Sequence, residues 1–125
     1  MSETKLKAKL VEKLRKELPK FVIYTHQDMA SGIPDLSING NGRISWWELK
    51  FADPDFDSTG IQELDMLRLA ANNVFAGYVI YEDIGGNQRT RIVHPKDFRK
   101  WDTSGEVVKG INHDWVIEKI KQEHL

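Results

Sequence analysis

Several features that define common protein classes are missing from this sequence. It contains no cysteine, which excludes disulfide bonds, thiolate zinc sites and cysteine nucleophiles. No apolar run reaches the roughly 18 residues that a membrane-spanning helix needs. The opening segment, MSETKLKAKL, also lacks the apolar stretch of a signal peptide. We therefore expect a cytoplasmic protein that does not enter a membrane.

The sequence also has little net charge, at −1, whereas many nucleic-acid-binding proteins are strongly basic. Its charges are nevertheless segregated along the chain. Basic residues crowd the N-terminal segment and acidic residues crowd a later one: Lys5, Lys7, Lys9, Lys13, Arg15, Lys16 and Lys20, then Asp53, Asp55, Asp57, Glu63 and Asp65. This distribution suits an enzyme that holds both phosphates and a cation, although two solvated faces would give the same pattern.

Hydrophobic periodicity along the 125 residues predicts one domain, 1–125, in which a mixed sheet is flanked by helices. Leucines at every fourth position predict a helix over 3–18, which Pro19 ends. Strands are predicted at 21–26, 35–38, 43–50, 77–83 and 88–94, and further helices at 60–75, at 94–101 and from an Asn112 cap to about 124. The expected fold class is α/β (α+β), in the order α-β-β-β-α-β-β-α, with about five strands.

Two adjacent predicted strands carry a set of ionisable residues. Because side chains alternate along a strand, Glu48 and Lys50 share one face of the segment ISWWELK. The run Asn-Gly-Asn-Gly at 39–42 predicts a hairpin before this strand, since asparagine and glycine accept positive φ. A loop of two or four residues places Asp35 opposite Trp46, with Glu48 as its diagonal neighbour at roughly 7–8 Å. A loop of three residues would turn Asp35 to the other face.

This residue set is suited to metal-assisted phosphodiester hydrolysis. Carboxylate oxygens are ligands that Mg²⁺ prefers, and the ion both polarises the phosphate and lowers the pKa of a water molecule. A lysine beside the metal can orient that water or accept its proton. Asp35, Glu48 and Lys50 therefore predict a catalytic centre that uses Mg²⁺ or Mn²⁺.

The segments Gly-Ile-Pro-Asp-Leu at 32–36 and Trp-Glu-Leu-Lys at 47–50 resemble the PD-(D/E)xK nuclease superfamily. They are most like its VRR-NUC and archaeal Holliday-junction-resolvase branches, and the resemblance covers about residues 3–82. It implies a restriction-endonuclease-like core and an endonuclease that cuts DNA, including branched or junction DNA. It further implies that Asp35, Glu48 and the backbone carbonyl of Leu49 bind the metal and that Lys50 is the catalytic lysine.

The resemblance also implies a glutamate on the first helix and a glutamine that opens the helix after the ExK strand. Glu3 matches the glutamate best and is expected to bind the metal. Glu17 is its rival, and a frayed, exposed Glu3 is the structural alternative. Gln62 matches the glutamine. Its alternative is a capping box that begins at Thr59, in which Gln62 satisfies a free backbone donor.

DNA is the expected partner, and five basic residues are predicted to contact it: Lys5, Lys9, Arg89, Arg91 and Lys96. A solvated basic surface is the alternative for all of them. The resolvase-like branches act as dimers, so a homodimer is also expected. Two other functions stay open. One is a non-catalytic nucleic-acid-binding module on the same fold, and the other is a calcium-binding domain. The calcium loop that would start at Asp53 lacks its required glycine and its final glutamate.

Overall fold

The computed structural model describes residues 1–26, 33–56, 63–72 and 74–125. These residues form an α+β fold built on a six-stranded open sheet in which the strands follow one another in chain order. Neighbouring strands are antiparallel except at the centre, where the third and fourth strands run parallel. None of the described helices is long and apolar enough to cross a membrane.

The elements have the following bounds along the chain. The helices are α1 Glu3–Glu17, α2 Glu63–Ala71, a 3₁₀ helix Pro95–Thr103 and α3 His113–Glu123; the strands are β1 Val22–Thr25, β2 Leu36–Gly40, β3 Arg43–Ala52, β4 Phe75–Ile84, β5 Asn87–Val93 and β6 Glu106–Lys109. The side chain of Asn112 accepts a hydrogen bond from the N–H of Trp115, which confirms Asn112 as the predicted cap of α3.

Two apolar clusters cover the two faces of the sheet. On one face, leucines of α1 and isoleucines of α3 pack against Trp47 and Leu49 of β3. On the other face, Met66 of α2 and Phe98 of the 3₁₀ helix pack against β4, with Trp46 beside them. Consecutive side chains of β3 thus enter opposite clusters, so β3 is a central strand with the predicted alternation. The face that carries Trp46 is also the face of Glu48 and Lys50.

The structure differs from the expected fold at its C-terminal side. A sixth strand, Glu106–Lys109, pairs with β5 where no strand was predicted. This strand has only four residues, most of them exposed, so its sequence carries no apolar alternation. The described part of α2, Glu63–Ala71, also ends earlier than the predicted helix 60–75.

The hairpin between β2 and β3 determines which side chains of the two strands meet. Gly40 pairs with Arg43, so the loop consists of Asn41 and Gly42 alone. Both residues have positive φ, of 53° and 75°, as a two-residue hairpin turn of this hand requires. The loop has the even length that brings Asp35 to the side of Glu48, but the pairing is shifted by two residues from the prediction.

Candidate metal centre

Asp35 and Glu48 meet directly across the β2–β3 hairpin. The last pair of the ladder joins Leu36 to Trp47, so the next position along each strand sets Asp35 opposite Glu48. The predicted pairing of Asp35 with Trp46 is therefore wrong, because the centre of the turn falls one residue later than that pairing requires. The two acids are closer than diagonal neighbours would be.

Main-chain donors hold the two carboxylates in place. The N–H of Asp35 donates to Oε1 of Glu48 at 2.9 Å, and the N–H of Leu49 donates to Oδ2 of Asp35 at 2.8 Å. The side chain of Glu48 is only 3% exposed and that of Asp35 is 19% exposed. Because the backbone supplies these donors, the strand register itself fixes the orientation of both side chains.

Lys50 lies on the same face as Glu48, as the alternation predicts. Its Nζ is 3.4 Å from Oε2 of Glu48. The lysine side chain is 20% exposed, whereas the side chain of Glu48 is 3% exposed. The structure thus brings together the three residues that the sequence placed at the catalytic centre.

Ionisation of both carboxyl groups at the same time is electrostatically unfavourable. Burial and, after it, the neighbouring Asp35 carboxylate raise the pKa of Glu48 to about 8, while the Lys50 ammonium opposes the shift. Desolvation and a like charge both disfavour a second carboxylate anion at this position. A cation between the two groups would remove that cost.

The atoms around Asp35 and Glu48 fit a hard divalent cation. Carboxylate oxygens are the ligands that Mg²⁺ and Mn²⁺ prefer. The N–H of Leu49 points towards Asp35, and in a strand the N–H and C=O of one residue point to the same edge. The Leu49 carbonyl therefore faces the side on which Asp35 lies, as a third ligand must.

Among the described residues, a third acidic side chain does not join this pair. Within residues 1–26, 33–56, 63–72 and 74–125, no three acidic or histidine side chains are grouped so that they could hold a metal ion. The Oε1 atom of Glu3 accepts a hydrogen bond from the N–H of Phe51, at 3.1 Å. Glu17 is exposed in the last turn of α1, about 21 Å further along the helix. Glu3 is thus beside the strand that carries Glu48, and its carboxylate is engaged there.

The residue of α1 that contacts the acidic pair is Lys7. Its Nζ is 3.1 Å from Oδ1 of Asp35, and its side chain is 28% exposed. Lys7 follows Glu3 by four residues, so both side chains leave the same side of the helix. In the sequence, Lys7 is one of several lysines in a basic segment. Its four-residue spacing from Glu3 is the one sequence feature that indicates its position facing the sheet.

Three further side chains, those of His26, Ser37 and Trp46, adjoin the acidic pair on the same face. His26 shares a hydrogen bond with Ser37, with Nε2 and Oγ 2.9 Å apart. Its ring is stacked on that of Trp46, with centroids 5.2 Å apart. Ser37 pairs with Trp46 across the hairpin, so this group adjoins Asp35 and Glu48 along both strands.

A surface groove of about 340 Å³ opens beside the acidic pair, between the start of β2 and the outer side of α2. Its walls are formed by the apolar side chains Ile33, Pro34, Trp46 and Leu69 and by the polar side chains Asp65, Arg68 and Asn72, which lie in α2 or directly after it. A larger hollow of about 460 Å³ lies at the other end of β3, near Arg43 and Phe75, away from Asp35 and Glu48. The smaller groove is thus lined by Pro34, which precedes Asp35, and by Trp46, which shares the sheet face of Glu48.

The five basic residues predicted to contact DNA differ in their accessibility. Lys5, Lys9 and Lys96 are exposed. Arg91 is buried, with its Nε 3.0 Å from Oε2 of Glu82 and its Nη1 donating to the Ser104 carbonyl at 2.9 Å. The guanidinium of Arg91 is therefore engaged inside the fold and is not available to contact DNA. Arg89 has a 42% exposed side chain and lies 3.5 Å from the same glutamate.

Two other sequence predictions fall partly or wholly outside the described residues. Gln62 and the capping box at Thr59 lie outside them. Of the acidic loop, Asp53 and Asp55 are described, and the N–H of Asp55 donates to Oδ1 of Asp53 at 2.9 Å. This local hydrogen bond shapes a turn and brings no other element to the two aspartates.

The chain matches no protein-family model and no curated protein. The functional interpretation therefore depends on the residues and on their geometry.

Proposed function

We propose that this chain is a PD-(D/E)xK-type endonuclease that hydrolyses DNA phosphodiester bonds with Mg²⁺ or Mn²⁺. The observation that carries the proposal is the meeting of Asp35 and Glu48 across one hairpin, with Lys50 on the glutamate. Two carboxylates and an ammonium on one sheet face are the groups that metal-assisted phosphodiester cleavage needs.

In this proposal Asp35 and Glu48 hold the cation, and the Leu49 carbonyl is the third protein ligand. A bound Mg²⁺ or Mn²⁺ supplies Lewis acidity towards the phosphate and a water molecule. The main-chain bonds to both carboxylates prepare their positions before the ion arrives. Little reorganisation is then needed when substrate binds.

Lys50 is the residue that takes part in proton transfer from the attacking water. Its Nζ lies 3.4 Å from Oε2 of Glu48, and its side chain is partly exposed. From this position the amine can orient the attacking water and hold or pass on its proton. The residue is therefore proposed as the catalytic lysine rather than as a structural counter-ion alone.

The arrangement of elements is compatible with a restriction-endonuclease-like core. α1, the β2–β3 hairpin, α2 and β4 follow in the order that the resemblance implies. The parallel pairing of β3 with β4 places α2 in the crossover between these two strands. The groove beside the carboxylates lies between this crossover helix and the hairpin, where a DNA backbone would approach the site.

We further propose branched or junction DNA as the preferred substrate. Paired cuts in two strands need two active sites, so this substrate predicts a homodimer. Sedimentation with and without junction DNA measures that assembly. Monomers on intact junctions would contradict the dimer and leave the hydrolytic site unaffected.

The experiment that tests the activity is cleavage of supercoiled plasmid, linear duplex and branched DNA in the presence of Mn²⁺. We expect the wild-type protein to cut, and Asp35→Asn or Glu48→Gln to lower the rate by at least about a hundredfold. Asp53→Asn is the matched control, because this exposed aspartate has no contact with the pair. Circular dichroism checks that each variant is folded.

Two results would overturn the proposal. Cleavage at the wild-type rate by both Asp35→Asn and Glu48→Gln would show that these two residues do not form the active site. DNA binding by the wild-type protein without any cleavage would favour the non-catalytic module. Calorimetry with Ca²⁺ on the wild type and on Asp55→Asn tests the calcium-binding alternative.

A further inference from the structure

A lysine, not a third acid, reaches the acidic pair from the first helix. Lys7 places its ammonium 3.1 Å from Oδ1 of Asp35. The preceding side chain, Leu6, is buried in the cluster under β3, so the helix is anchored at this position. The contact is thus made from a rigid element rather than from a loose surface side chain.

Each of the four carboxylate oxygens has a donor or cation beside it. Oδ2 of Asp35 and Oε1 of Glu48 accept main-chain N–H groups. Oε2 of Glu48 faces Lys50 at 3.4 Å, and Oδ1 of Asp35 faces Lys7. The two backbone bonds are set by the register of the strands, so the ammonium groups are the partners that can change.

Lys7 occupies the part of Asp35 that a divalent cation also needs. An ionised carboxylate offers about four acceptor positions on its two oxygens, so a metal ion could bind while the backbone bond to Oδ2 stays. An ammonium and a divalent cation on one oxygen would repel each other strongly in this half-buried setting. Metal binding at Asp35 is therefore opposed by Lys7.

We propose that Lys7 is the resident cation of Asp35, that a divalent ion displaces it, and that the displaced ammonium binds a phosphate oxygen of the nucleic-acid substrate. This inference rests on the proposed function and adds a residue to it. Because the leucines beside Lys7 hold the helix on the sheet, the ammonium stays next to the site after displacement. Metal binding then increases the affinity for phosphate, and phosphate increases the affinity for metal, as linkage requires.

The test measures Mn²⁺ affinity by calorimetry in Lys7→Met, which keeps the length of the side chain and removes its charge. We expect Mn²⁺ to bind Lys7→Met at least tenfold more tightly than the wild type. Lys7→Arg keeps the charge and is expected to stay within threefold of the wild type. Lys16→Met is the matched control, since Lys16 is exposed in the last turn of the same helix. Its Mn²⁺ affinity should not change.

A second readout tests the phosphate contact. At saturating Mn²⁺, Lys7→Met should raise KM for DNA about tenfold and change kcat by less than threefold. Lys7→Gln, which also lacks the charge, repeats both measurements if the methionine variant unfolds. Thermal unfolding of each variant identifies any loss of structure.

The outcomes separate this inference from the function on which it rests. Unchanged or weaker Mn²⁺ affinity in the uncharged variants, with Mn²⁺ still bound by the wild type, overturns the role of Lys7 alone. An unchanged KM overturns the phosphate contact. If neither the wild type nor the variants bind Mn²⁺, both the inference and the proposed function fail.

Discussion

The main-chain N–H of Asp35 donates to the side chain of Glu48 at 2.9 Å. This bond exists because a two-residue turn at Asn41 and Gly42 sets the two acids opposite each other. In return, the strand of Glu48 donates the N–H of Leu49 to the Asp35 carboxylate. Each strand thus orients the carboxylate of the other, and a shift in hairpin register would break both hydrogen bonds.

Lys50 should affect turnover more than cation binding. We expect Lys50→Met to lower kcat for DNA cleavage by about 10²–10⁴-fold, the usual range for loss of a proton-transfer group. Mn²⁺ affinity should not weaken, because Lys50 is a cation near Glu48 and is not a ligand. Plasmid cleavage and calorimetry measure the two quantities, with exposed Lys20→Met as the control. Wild-type turnover in Lys50→Met would exclude the catalytic role.

The metal-free protein should lose stability as the pH rises. In the folded state the pKa of Glu48 is raised to about 8 from its ordinary value of 4.5. Between these values the folded state keeps a proton that the unfolded state releases, so the free energy of unfolding decreases with pH. The contribution is complete below pH 4.5 and lost as the pH passes 8. Its slope is at most about 1.4 kcal/mol per pH unit.

Urea unfolding of the wild type and of Glu48→Gln, in the presence of a chelator, measures this effect. The stability of the wild type relative to Glu48→Gln should fall steadily from about pH 5 to pH 8 and level off above pH 8, because the glutamine cannot ionise. Parallel pH profiles would show that Glu48 does not titrate in that window.

His124 joins the end of α3 to the β2–β3 hairpin. Its Nδ1 lies 2.9 Å from the Gly40 carbonyl, which only accepts, so Nδ1 is the donor. Nε2 then accepts from the hydroxyl of Ser45 at 2.8 Å, and that hydroxyl accepts the Trp47 indole N–H. Removing the buried imidazole would leave polar groups of the hairpin without partners.

We expect His124→Ala to lower the free energy of unfolding by about 2–4 kcal/mol, from lost hydrogen bonds and a cavity. Chemical denaturation measures this change. Gln122→Ala, at an exposed position of the same helix, should change stability by less than about 0.5 kcal/mol. A loss below about 1 kcal/mol in His124→Ala would mean that the network does not hold the hairpin in place.

Sequence patterns predicted the structure correctly where a pattern is compatible with only one local arrangement. Alternation along ISWWELK correctly placed Glu48 and Lys50 on one face, because side chains of a strand can only alternate. The Asn-Gly-Asn-Gly run predicted a hairpin, but two Asn-Gly pairs in a row allow turns at different positions. The pairing partner of Asp35 was therefore missed by two residues, although its face was right.

Contacts between distant segments were not readable from the sequence. In the first helix, only the four-residue spacing from Glu3 distinguishes Lys7 from the lysines around it. The strand Glu106–Lys109 was missed because pairing with β5, not apolar alternation, makes it extended. Arg91 seemed to belong to a basic surface because its buried partner, Glu82, lies on a neighbouring strand.

The most direct test of the account is a crystal of the protein soaked in Mn²⁺ and measured for anomalous scattering. The account predicts one strong peak between the carboxylates of Asp35 and Glu48, with the Leu49 carbonyl also in contact, at oxygen distances of about 2.1 Å. A crystal with no peak there, or with Mn²⁺ bound only at exposed acids such as Asp53 and Asp55, would contradict it.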